Sequence, residues 1–300
     1  MHPPLLALVR ALPLAHVGSA DPTGPLWSDW TLQPSVVLGL FVLLVAYYWA
    51  VGPANRRRPG GPRPVSGGQK AAFAGGLAVL FVALGPPLDD WSDHYLLTAH
   101  MTQHLLLTLA APSLLLLGTP GWLLAPLTRV RVIDRAGYWL TRPPVAYLIA
   151  NGVFVVWHMP ALYDAALRHE PIHVLEHGLF VATALLAWWP LLGPLPAWPR
   201  LPPLAQCLYL FLWTIPGGIV GAFITFAAPG LYAPYDSAAR VFGIDLTTDQ
   251  QIAGLLMWIA TSSLYLLLIT VIFFRYAGQE EAKERAGPAA APAPASSIRG

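Results

Sequence analysis

Histidines 169, 173 and 177 recur every four residues in HEPIHVLEH, whose first five letters spell H-E-x-x-H. Zinc proteases use that pattern when one helix carries both histidines and the glutamate between them acts as base. Three other stretches carry related groups. AHMTQH, residues 99 to 104, sets His100, Met101 and His104 within about 100° of one helix circumference. VVWHMP brings His158 and Met159 up to Pro160, a pair biased out of the helix. TTDQQIAGLLMW aligns Asp249, Ala253 and Met257 at four-residue steps, with Thr247 and Gln250 or Thr248 and Gln251 as a capping box. Imidazole and thioether groups at helical spacing bind transition metals. The one cysteine, Cys207, supplies neither a disulfide nor a paired-thiol site, so soft-metal chemistry falls to histidine and methionine.

Pro171 decides how the opening stretch reads. A helix continued back to His169 would hold that ring internally, at about 3 kcal/mol. A helix begun at Pro171 instead puts His173, Glu176 and His177 on one wedge and leaves His169 outside, so the protease pattern is accidental. His94 and His169 read as interfacial residues, with His94 at most supporting the site. His100, His104, His173 and His177 fall inside apolar runs, where ionisable residues mark function. The metal ligands expected are therefore His100, His104, His158, His173 and His177 with Met101, Met159 and Met257. Glu176 either ligates or orients a neighbouring histidine, and Asp249 either supports the site or complements its own helix dipole. Imidazole with thioether suits copper, Cu(I) over Cu(II), while imidazole with carboxylate also accepts zinc or iron. A rival is a cytochrome in which His104 and His177 clamp a haem iron.

Elements able to hold these groups follow from composition. The 300 residues are 56% hydrophobic and 11% charged, with a mean hydropathy of +0.55. That balance fits a chain solvated by a lipid bilayer, and no nucleic-acid partner is expected. Apolar runs long enough to cross a bilayer lie at about 35 to 52, 70 to 88, 95 to 117, 143 to 159, 172 to 193, 203 to 227 and 252 to 274. The expectation is an all-α polytopic bundle of seven transmembrane helices over 35–275, after an extracytoplasmic segment 1–34 and before a disordered Ala/Pro-rich cytoplasmic tail 276–300. The segment before the first span resembles a signal peptide only loosely, because Arg10 interrupts its apolar run. Fourteen of the 17 basic residues fall on one side of this arrangement, which places the N-terminus outside and the C-terminus in the cytoplasm. The outer side then carries eleven acidic residues against Arg10, Arg168 and Arg240, a face that draws cations.

The blocks TAHMTQHLLL with APSLLLLGTP, WHMPALYDAAL, IHVLEHGLF with LLAWWP, and DQQIAGLLMW stand in an order and at a spacing similar to those of the CtaG family of assembly factors for caa-type cytochrome c oxidase. The resemblance runs over about residues 35 to 275. It implies a non-enzymatic accessory protein of the bacterial plasma membrane that partners haem-copper oxidase subunits and helps copper reach them, with self-association into a homodimer left open. It also lays His100, His104, His158, His173, His177, Asp249 and Met257 on the family's characteristic polar positions.

Overall fold

A computed structural model of the chain describes residues 32–286, so the segment 1–31 and the end of the tail, 287–300, lie outside the described residues. Every regular element among the described residues is helical. In hydrocarbon only a helix satisfies its own backbone, and apolar runs of this length leave no alternative.

Six helices are long and apolar enough to cross a membrane: α1 (Pro34–Ala54), α2 (Gly67–His94), α3 (Leu97–Gly118), α7 (Glu170–Leu192), α8 (Pro203–Phe226) and α9 (Leu246–Arg285). Between α3 and α7 lie α4 (Arg131–Leu140), α5 (Pro143–Trp157) and α6 (Pro160–Arg168). The fourth of the seven expected spans is thus a pair, α5 and α6, bent by 72°. The count is six continuous spans, or seven with the bent pair taken as one. Pro160 supplies the break, since His158 and Met159 before it leave the helical conformation.

Two further boundaries differ from the sequence reading. The last helix continues to Ala286, so 276–286 is helical where a disordered tail is expected; Lys283–Glu280 and Arg285–Glu281 pairs one turn apart support it. The stretch between α3 and α5 contains α4, in which Val132, Ile133 and Trp139 are exposed beside Arg131 and Arg135. Such a helix suits the plane of a membrane interface.

The centre of the bundle is α3 and α7, the most buried spans. Pro112 in α3 has no N–H to give the carbonyl of Thr108, and a π turn spans Leu106–Ala110. Trp188 of α7 donates its indole N–H to that carbonyl at 2.9 Å, which ties the two spans together. On the other side α8 and α9 approach closely at Gly221 and Gly254. A methyl group on Gly221 would lie 2.7 Å from the Gly254 carbonyl oxygen, so glycine sets this spacing.

The start of α9 positions the rest. Asp245 caps it, accepting the N–H groups of Thr247 and Thr248 at 3.0 Å each, in place of the expected threonine–glutamine box. Those bonds, with the Thr248 hydroxyl foremost, hold the Asp245 carboxyl below its ordinary range. Gln250 donates to the Ile224, Ala227 and Ala228 carbonyls, closing the open end of α8. Asp249 reaches the first turn of α3 instead, where the histidines begin.

Candidate metal centre

Four side chains from two central spans converge. His100 and His104 of α3 and Glu176 and His177 of α7 each offer one donor atom, and these atoms lie within 4.8 Å of one another. None of the four is more than 8% exposed. His100 Nε2 stands 2.8 Å from His104 Nε2, and His104 Nε2 stands 3.7 Å from Glu176 Oε1. Bonds of about 2.0–2.2 Å from an ion to nitrogen or carboxylate oxygen would need only small side-chain shifts from this spacing.

Helical geometry explains the convergence. His100 and His104 are one turn apart on α3, as Glu176 is adjacent to His177 on α7, and the faces meet because both helices are central. The register of α3 is fixed at its start, where the Asp249 carboxylate accepts the N–H of Leu97 at 2.8 Å and of Thr98 at 2.9 Å. Thr98 returns its hydroxyl to the Asp249 carbonyl at 3.0 Å.

Hydrogen bonds also fix which ring nitrogen of two histidines is bare. Tyr235 stands in the segment joining α8 to α9 and gives its hydroxyl hydrogen to the Ser92 carbonyl at 2.6 Å. Its oxygen is therefore an acceptor toward His100 Nδ1, 3.2 Å away, so Nδ1 carries the proton and Nε2 presents a lone pair. Burial pushes the Tyr235 phenol well above its ordinary range and keeps it protonated for this role. His158 likewise donates from Nδ1 to the Phe154 carbonyl at 2.7 Å, and its buried Nε2 has no hydrogen-bond partner. Its ring lies 5.5 Å from that of His104. Both oxygens of Glu176, Nδ1 of His104 and Nε2 of His177 are also buried without a hydrogen-bond partner. Buried polar atoms in this state carry a cost that a bound cation removes.

A second group lies further out. Asp93 at the end of α2, His100 and His173 hold donor atoms within 4.8 Å of one another, with His173 Nδ1 3.6 Å from Asp93 Oδ2. His173 and Asp93 are partly exposed, at 12% and 21% of their side chains.

The remaining expected residues separate. Met159 is 41% exposed at the N-cap of α6, outside the buried cluster. Met101 and Met257 are fully buried in one apolar cluster with Leu97, Val220 and Ile224, where a thioether fills space. Asp249 caps α3 and reaches the site only through that helix. His94 bonds the Asp90 carbonyl at the end of α2 and falls in neither donor group. His169 is an exposed N-cap in extended conformation, and α7 starts at Glu170 with Pro171 in its first turn, so the two histidines of H-E-x-x-H do not share a helix. Asp93 and Tyr235 enter as new members. Asp93 reads from sequence only as one of several acidic residues at the mouth, and no local pattern marks Tyr235.

The caa3 cytochrome c oxidase assembly factor family (Caa3_CtaG) matches residues 45–279. Among curated proteins, one of unassigned function from Mycobacterium leprae is 23% identical over 266 residues, and one each from Mycobacterium bovis and Mycobacterium tuberculosis is 25% identical over 261. Each alignment covers 81% of this chain and 39% of the relative, so the chain spans about two fifths of the length of these relatives. No solved structure matches.

Proposed function

The chain belongs to the caa3 cytochrome c oxidase assembly factor family, and from that premise we propose that it carries copper, held between α3 and α7, to a haem-copper oxidase subunit in the same membrane. The observation that carries this reading is the convergence of His100, His104, His177 and Glu176 inside an apolar bundle. Copper is cargo here. Neutral imidazoles and one carboxylate bind copper ahead of the other divalent first-row metals, in the order common to such sites. With Met159 at the surface and Met101 and Met257 in an apolar cluster, the four-donor group is nitrogen and oxygen alone.

The same geometry weighs against the rival. An axial haem ligand turns Nε2 toward the iron across a porphyrin face, whereas Nε2 of His104 faces His100 at 2.8 Å and its ring packs on Phe180. That arrangement favours a bare ion over haem. The protein acts by holding and releasing, without turnover. The site faces the extracytoplasmic side, where the partly exposed Asp90 and Asp93 raise the local cation concentration.

Cells in which the gene is replaced by a His104→Ala, His177→Ala version test the role. The oxidase polypeptides should be made, but with oxidase copper and activity reduced at least tenfold, and the wild-type gene should restore both. Fully copper-loaded oxidase in those cells would overturn the proposal.

A further inference from the structure

His100 belongs to both donor groups. It stands 2.8 Å from His104 on the inner side, and it shares with His173 and Asp93 an outer group whose atoms lie within 4.8 Å of one another. The two groups differ in access: Asp93 and His173 are partly exposed, while His104 and Glu176 are 2% and 0% exposed. The rings of His173 and His177 are 4.2 Å apart on successive turns of α7, and His173 lies 5.5 Å from His100. From outside inward the donors form an unbroken file across the top of α3 and α7.

Resting on the copper reading above, we propose that Asp93 and His173 form a separate entry station that captures a copper ion and passes it to the inner site through His100. The transfer is a ligand exchange. His100 keeps its coordinate bond while the bonds to Asp93 and His173 break and those to His104, His177 and Glu176 form. The ion changes neither charge nor oxidation state; the proton by which His104 Nε2 bonds His100 Nε2 moves to His104 Nδ1, which is buried without a hydrogen-bond partner, and leaves Nε2 free to ligate. Such a step avoids carrying a naked ion into a low-dielectric bundle, where an uncompensated charge is expensive. It also gives the partly exposed Asp93 a function that its placement among neighbouring acids conceals.

The test uses the full chain in detergent and copper(I) supplied as its coloured bicinchoninate complex, whose loss of absorbance reports transfer in a stopped-flow cell. Wild type should take up one copper. Asp93→Asn with His173→Gln should take up the same amount at equilibrium but at least tenfold more slowly, while His104→Ala with His177→Ala takes up none. Asp93→Asn alone, which leaves an oxygen for the Ser92 hydroxyl now 3.1 Å away, should slow loading several-fold and guards against a folding defect in the double variant. Loading of the double variant at the wild-type rate overturns the entry station. So does its loss of equilibrium uptake, which would make Asp93 and His173 ligands of the resting site. A wild type that takes up no copper sinks the copper reading itself.

Discussion

The carboxylate of Asp249 accepts the backbone N–H of Leu97 at 2.8 Å, across 152 residues of sequence. Three residues after Leu97 comes His100, so the first turn of α9 sets the height of the first ligand on α3. Capping bonds are worth about 1 kcal/mol, and those to a charged group about 1.5–3 kcal/mol. Asp249→Ala should therefore lower the thermal unfolding midpoint of the detergent-solubilised protein by several degrees and weaken copper binding. Asp249→Asn keeps one accepting oxygen and should fall between. An Asp249→Ala protein with wild-type midpoint and affinity would show that α3 needs no such cap.

Tyr235 contributes only an oxygen to His100, and its ring remains buried whether or not the hydroxyl is present. Groups that orient a metal-bound histidine are worth about 10–100-fold in metal affinity. Tyr235→Phe should weaken copper binding by that factor in a competition titration while the helical circular dichroism stays unchanged. Equal affinity would mean that the His100 ring is held by packing alone.

The two glutamates of HEPIHVLEH make opposite predictions. Glu176 is fully buried with both oxygens lacking a hydrogen-bond partner, while Glu170 is the partly exposed first residue of α7. Glu176→Gln should reduce copper affinity at least tenfold, whereas Glu170→Gln should leave both copper content and oxidase assembly as in wild type. Loss of oxidase assembly in Glu170→Gln with metal retained would revive the protease reading.

Met159 is the expected ligand that the fold displaces. Because its side chain is 41% exposed, Met159→Leu should leave the copper content of the purified protein unchanged. A loss of half the copper or more would place its sulfur in the site.

Six of the spans were legible because apolar length alone defines them, and the wedge of His173, Glu176 and His177 because Pro171 marks where α7 begins. The meeting of His100 with His104 and of both with α7 followed from four-residue spacing on central helices. What spacing could not reveal was depth and partner. His158 and Met159 are adjacent in sequence, yet the 72° bend between α5 and α6 buries the first and exposes the second. Asp249 shares a helical face with Ala253 and Met257, but its partner is the start of another helix. Tyr235 reaches Ser92 and His100 from a connecting segment, where no periodicity announces a contact.

Elemental analysis of purified protein, wild type beside His104→Ala with His177→Ala, tests the central claim most directly. The account predicts about one copper per wild-type chain and less than a tenth of that in the variant, both proteins having the same helical content. Equal copper in the two, or zinc or haem iron in place of copper in the wild type, would contradict it.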